Sequence, residues 1–255
     1  MTPLYLPNKD GWTAQILVYI GSQYVPIKEA SFAEGVYTNK LQLQDSPALV
    51  DMFKRVLDFK TKGYMNDDML SATMAMAEQA LAEGKTAFVA GGNWLYTDFQ
   101  SNYPDQAADI SMTGVNWGDD PADFNVMKTG AGASLYIPAQ SRQKEAAEDF
   151  VNFVLSERVM KAMYEVRPGA NVLGYETKAN PWDTEMQSLL TSGVAHDNEM
   201  FVSAIANFKV GTGFNAGDIG AAAQALFAGK DPVKALADMQ SGLAKANKAK
   251  GIPGF

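Results

Sequence analysis

Apolar positions along the chain change their spacing several times, and each change marks an element. Over 46–62, SPALVDMFKRVLDFKTK, the residues Leu49, Val50, Phe53, Val56 and Leu57 share one helical face. Ser46 can cap this helix, Pro47 suits its first turn, and Gly63 stops it. A second helix is predicted around 70–83 and closed by Gly84; its Met74 and Met76 sit among alanines, a core-packing pattern. Further helices are predicted at 143–156, with Ala147, Phe150, Val151 and Val154 apolar and the pattern running on towards Met163, and near 184–191. The last, 231–247, has Asp231 as cap, Pro232 as opener, and Val233, Leu236, Met239 or Gln240, and Leu243 on its face. Short apolar runs at 86–90, 109–115 and 133–137 read as strands, and 13–27 as mixed apolar structure. Residues 1–12 and 116–132 read as loops. Strands alternating with helices predict an α/β protein with a largely parallel or mixed sheet.

One stretch departs from plain scaffold. EGKTAFVAGGNWLY, 83–96, leaves a helix, runs through an apolar strand, turns on Gly91 and Gly92, and ends on Asn93, Trp94 and Tyr96. Asn116–Trp117, Phe214–Asn215 and Trp12, behind KDG, repeat this pairing of aromatic rings with amides or turns. Trp and Tyr combine a flat apolar face with a polar tip, and Asn supplies a donor and an acceptor together. Sugars need that combination, because their C–H faces stack on rings while their hydroxyls hydrogen-bond. Core packing is the competing reading for each tryptophan, above all for Trp182 in NPWD.

Composition narrows the chemistry. A chain of 255 residues, 47% hydrophobic, can bury a core as one large domain or two lobes. Its net charge of −8 and the lack of a basic stripe speak against nucleic acid. No apolar run approaches the ~18 residues of a membrane span, and the start, MTPLYLPNKDGW, has no export-signal pattern. With no cysteine there are no disulfides, thiolate metal sites or cysteine nucleophiles. The one histidine, His196, rules out the usual histidine metal sites, and no G-x-S-x-G elbow accompanies it. GTGFNA, 211–216, fits a dinucleotide fingerprint, but the acid it would need, Asp231, already reads as a helix cap. Asp67–Asp68 and Asp119–Asp120 read as solvated turns, although two separate acids, such as Asp119 and Asp218, could form a glycosidase pair.

The order of motifs resembles the extracellular solute-binding proteins of carbohydrate ABC importers, the maltose-binding-protein-like group. KDGW at 9–12, GYMNDDML…MAEQALAEGKTAFVAGGNWLY, GASLYIPAQSRQKEAAEDFVNFVLSERVMKAMYE and LFAGKDPVKALADMQSGLAKA follow the family's order. The resemblance spans nearly the whole chain but only the later part of a family member. It implies a periplasmic-binding-protein-like type II fold, mostly the C-terminal lobe with an incomplete N-terminal lobe. Residues 1–108 and 167–255 would form the C-terminal lobe, and 109–166 an excursion into the N-terminal lobe.

The family acts by binding, without chemistry, metal or cofactor. A sugar enters between the lobes, the lobes close, and the protein docks on a membrane permease. The setting is extracellular or periplasmic, with export signal and lipid anchor outside this chain. By the resemblance Trp94 stacks on the sugar, and Asn93 and Tyr96 flank it. Asn116, Trp117 and Gly132 line the opposing or hinge side, Phe214 and Asn215 come from the last loop, and Trp12 is a further candidate. RPGANVLGYE replaces the family's glycine–proline turn, and 211–218 is glycine-rich where maltose binders carry bulky aromatics, so maltodextrin is not the expected ligand. Two other classes remain open: a glycoside-active enzyme using Asp119 and Asp218, and a ligand-free interaction or sensor module.

Overall fold

The computed structural model describes residues 1–22, 24–120, 124–126, 135–167, 181–192, 196–197 and 216–255. In chain order the elements are β1 (Thr2–Tyr5), α1 (Gly11–Ser22), α2 (Tyr24–Lys28), α3 (Phe32–Tyr37), α4 (Pro47–Thr61), α5 (Met74–Ala82), β2 (Thr86–Val89) and α6 (Leu95–Asn102). They continue as β3 (Val115–Asn116), β4 (Phe124–Val126), α7 (Lys144–Val154), α8 (Glu157–Val166), α9 (Pro181–Thr191), β5 (His196–Asp197), α10 (Ala216–Phe227) and α11 (Pro232–Ala249). The chain forms two compact units: Met1–Ala90 with Gly114–Lys128 and Ser192–Phe255, and Gly91–Thr113 with Thr129–Thr191. These limits differ from 1–108, 109–166 and 167–255: Gly91–Thr113 and the stretch up to Thr191 belong to the second unit, and Gly114–Lys128 to the first.

The helix ends of the first unit follow local chemistry. Ser46 is buried; its Oγ accepts from the Leu49 amide at 3.1 Å and donates to Glu29 Oε2 at 2.6 Å, so one hydroxyl starts α4 and ties it to the segment before α3. Asp231 Oδ1 accepts from the Lys234 amide at 3.1 Å and Pro232 opens α11. Thr73 caps α5, which therefore starts at Met74 rather than at 70. Gly63 and Gly84 stop α4 and α5 at φ +71° and +66°, a left-handed conformation that favours glycine.

The core of this unit gathers distant stretches. Leu6, Phe32, Leu43, Leu49, Met52, Phe53, Ile219, Leu226, Phe227 and Leu236 are fully buried. Each such side chain contributes about 1.5–3 kcal/mol through removal from water. α10 lies against the start of α1, and the approach is close enough that a Cβ on Gly220 would overlap the Gly11 carbonyl oxygen. Gln224 Nε2 donates to the carbonyls of Asn8 and Lys9 at 3.0 and 3.1 Å, so α10 also holds the turn before α1. Lys60 Nζ donates to the Phe227 carbonyl, placing a cation at the C-terminal end of α10. In α11 both Met239 and Gln240 are buried; Gln240 Oε1 accepts from the Leu43 amide at 3.2 Å, which satisfies a polar group inside the core.

Among the described residues the strands are few and short. β1 pairs parallel with β2, Thr2 opposite Thr86 and Leu4 opposite Phe88, and Leu4 also bridges Met65. The start of the chain, expected as loop, is thus a strand: TPLY acquires strand geometry from partners more than 60 residues away. β3 is antiparallel to β4, which is parallel to β5. The strand expected over 109–115 shrinks to Val115–Asn116, since Ala107–Asp109 forms a 3-10 turn and only the last two residues find ladder partners. Residues 135–137, expected within a strand, lie outside any regular element.

The second unit is built on aromatic packing. Phe99 and Trp182 are buried with ring centroids 6.0 Å apart, and Trp182 Nε1 donates to the Ile110 carbonyl at 2.8 Å. Trp182 is therefore a packed core residue, in keeping with its NPWD context. The helix predicted at 143–156 is α7, and the pattern running on towards Met163 is interrupted at Leu155–Ser156 and resumes as α8. α7 buries none of its residues, and Phe150 on it is 61% exposed.

Two outcomes test this packing. Gly220→Ala should cost about 1–3 kcal/mol of unfolding free energy in urea titrations, because the opposing atom is backbone and cannot rotate away; an unchanged midpoint would refute the close approach. Phe150→Asp should leave stability within about 0.5 kcal/mol and reduce binding of an apolar dye. A loss of about 2 kcal/mol or more would mean that the ring is buried after all.

Candidate functional site

Two glycines shape the start of α6. The Leu95 amide donates to the Gly92 carbonyl at 3.0 Å and the Tyr96 amide to the Asn93 carbonyl at 3.1 Å, so the chain is already turning at Gly92. A Cβ on Gly92 would overlap the Trp94 ring, and one on Gly91 would overlap Leu95. Neither position has a positive φ; a side chain at 92 would push the Trp94 ring aside, and one at 91 would push the Leu95 methyl. Trp94 ends up across the Gly92 backbone at the mouth of α6, 36% exposed, while the next residue, Leu95, is buried and anchors the helix. Asn93 is half-buried beside it. Tyr96 is half-buried too, with its ring edge-on to Trp182 at 5.5 Å and 73°. Trp94, Asn93 and Tyr96 thus lie together at the start of α6, with the indole displayed against Gly92 and the Tyr96 ring packed on Trp182.

The other predicted residues are placed differently. Trp12 is the second residue of α1 in the first unit and is 48% exposed. Asn116 is exposed, but its amide is used within its own turn: Oδ1 accepts from the Gly118 amide at 2.9 Å and Nδ2 donates to the Asp120 carbonyl at 2.9 Å. Trp117 is 4% exposed, with its ring 5.6 Å from Phe59 and against the Gly21 backbone. That is a core position rather than a displayed one. Gly132, Phe214 and Asn215 lie outside the described residues. His196 lies in β5, and among the described residues no group of His, Asp and Glu is arranged to hold a metal ion.

Electrostatics converge on a residue that no sequence motif singles out. Arg55, on α4, donates from Nε to Asp51 at 2.7 Å and from Nη1 to the Trp117 carbonyl at 3.0 Å, and grips both carboxylate oxygens of Asp119 at 3.2 and 3.1 Å. Its guanidinium lies 5.0 Å from the Tyr24 ring centre, and Tyr24 donates its hydroxyl to Asp51 at 2.9 Å. The Arg55 hydrogen bond holds the Asp119 carboxyl below its ordinary range. For Asp51, burial pushes the pKa up, but hydrogen bonds from Arg55 and Tyr24 outweigh it and the net direction is down. Two ionised acids sharing one arginine make a structural clamp. A glycosidase general acid needs a carboxyl held protonated by a raised pKa, and Asp119 is pushed the opposite way. The Asp51–Arg55 pair was legible as an i,i+4 pair on a helix; nothing in the sequence pointed to Asp119 as its third member.

Comparison with known proteins places the chain. Residues 5–184 match the model of the family described as bacterial extracellular solute-binding protein. Among curated protein sequences no significant match was found. Solved structures with similar folds include a chitin oligosaccharide binding protein (20% identity, TM-score 0.71, covering 97% of this chain and 60% of that one). The solute-binding protein RafE in complex with raffinose is similar too (16% identity, TM-score 0.66, 97% and 62%). So is a sugar transporter from Bacillus licheniformis in complex with stachyose (15%, TM-score 0.65, 96% and 61%). The chain spans about three fifths of the length of these structures. At such identities the likeness speaks for the fold, which is periplasmic-binding-protein-like and represented here in part. Among the described residues no helix is long and apolar enough to cross a membrane. With its family model matched over 5–184, the chain belongs to the bacterial extracellular solute-binding proteins.

Proposed function

We propose that this chain is the carbohydrate-binding component of an ABC importer, working outside the cytoplasmic membrane and delivering a sugar or oligosaccharide to the importer's permease. One observation carries the sugar reading: an indole displayed at the start of a helix and seated against Gly92, where a Cβ would displace the ring. An indole face of this kind suits the C–H face of a pyranose. Asn93, next to the indole in the chain, is a proposed hydrogen-bonding neighbour of the sugar, and the Tyr96 ring packs edge-on to Trp182. The named ligands of the similar structures, chitin oligosaccharide, raffinose and stachyose, agree in class with this reading. Trp12 offers a second stacking face, and Gly132, Phe214 and Asn215 remain proposed contributors. Asn116 and Trp117 enter as holders of their own turn and not as direct contacts. In this reading the first unit corresponds mostly to the C-terminal lobe of the family and the second to part of the N-terminal lobe.

Binding needs no catalytic residue, and the clamp on Asp119 agrees with a role in structure. Calorimetric titration with raffinose, stachyose and chitin oligosaccharides tests the platform. For whichever sugar binds, Trp94→Ala should weaken affinity roughly tenfold or more, about 1.4 kcal/mol, with the fold intact by circular dichroism. Unchanged affinity would remove Trp94 from the site. Release of reducing sugar during the titration would overturn the binding-only reading.

A further inference from the structure

The passage Gly114–Lys128 is the middle of the three stretches of the first unit, and the chain enters it from the second unit and returns there. Its ladder is minimal. β3 contributes two residues to β4, with Val115 opposite Asn125 and Asn116 opposite Phe124. β4 adds a second pairing as short, to β5, with Asn125 opposite His196 and Val126 opposite Asp197; pairings this short fix a segment weakly. Yet residues 116–120 are held from several sides. The Trp117 ring is buried against Phe59 of α4 and Gly21 of α1. The Trp117 carbonyl and the Asp119 carboxylate are both taken by Arg55.

We infer that Arg55 is a positioning residue: its guanidinium pins the 116–120 turn to α4 and so determines where this passage runs through the first unit. The geometry is specific to arginine. Nη1 reaches a backbone carbonyl and one carboxylate oxygen, Nη2 reaches the other oxygen, and Nε is spent on Asp51. Asp51, one helical turn before Arg55, and the Tyr24 ring hold the guanidinium from the side away from the turn's own hydrogen bonds. A lysine ammonium carries the charge but cannot make this fork. Asp119 is largely exposed, its side chain at 89%, so it is oriented by the arginine and not by burial. The Asn116 amide closes the same turn from within, through Gly118 and Asp120, and this makes 116–120 a rigid handle that one arginine can hold.

Such a role has a local signature. Amide hydrogen exchange would be followed across the chain for the unsubstituted protein, Arg55→Lys, Arg55→Ala and Asp119→Asn. In Arg55→Lys and Arg55→Ala, exchange over 115–120 should rise about fivefold or more, while buried amides of α4 and α11 keep their rates. Asp119→Asn, which leaves the carbonyl bond and the Tyr24 contact intact, should give a smaller rise in the same window. If Arg55→Ala does not fold, Arg55→Lys alone is decisive. Unchanged exchange over 115–120 in Arg55→Lys would show that the buried Trp117 ring suffices, and the proposal would fall. A uniform rise across the first unit would also overturn it, since the arginine would then support general stability. The exchange readout is independent of sugar binding, so failure of the carbohydrate reading leaves this test intact.

Discussion

The first unit depends on one close backbone approach. Gly220 of α10 meets the Gly11 carbonyl at the start of α1, and Gln224, one turn later, holds the carbonyls of Asn8 and Lys9. These partners are more than 200 residues apart in the chain. The contact works only because residue 220 has no side chain, which lets two helices approach to backbone distance. Once α10 is placed there, Ile219, Leu226 and Phe227 are buried with the α4 residues Leu49, Met52 and Phe53 in one core. The Ser46 and Asp231 caps then start α4 and α11 at the right residues. A unit assembled from three separated stretches needs such a tie, because the β1–β2 ladder joins only parts of the first stretch.

Tryptophan shows how far residue type falls short of role. Trp182 is buried with its indole nitrogen bonded to the Ile110 carbonyl, a core residue with its polar tip satisfied. Trp117 is buried beside Phe59 and anchors a turn. Trp94 is displayed on Gly92, while Trp12 stands half in solvent at a helix start. Their sequence contexts, NPWD, VNWGDD, GGNWLY and KDGW, all read as aromatics at turns. The difference lies in what the fold brings against each ring. For a binding protein that difference matters, because only a displayed ring can exchange water for a ligand.

The acids tell a similar story. Asp119 sits in a run of polar turn residues that reads equally well as solvated loop or half of a catalytic pair. Its bidentate grip by Arg55 ties it into the 116–120 turn and favours its ionised form, which does not suit it to the protonated-acid role in such a pair. Arg55 thus belongs to the architecture that holds the 116–120 turn.

Local signals were legible from the chain alone. α4 and α11 announced themselves through Ser46–Pro47 and Asp231–Pro232, because capping chemistry involves only neighbours within one turn. The order of motifs carried the family, and the glycines at 91 and 92 marked the turn that displays Trp94. Non-local pairing was not legible. TPLY is a strand only because Thr86–Val89 lies beside it, and DISMTGV is mostly not one because just its end meets a partner. Burial was decided in the same way: Trp117 went inside and Trp94 stayed outside according to what the fold packs against each ring. The Arg55 clamp joins positions 55 and 119, a pairing that exists only once the passage has been laid across α4. Sequence determines what can be made from adjacent residues, while tertiary structure decides what requires two distant segments to meet.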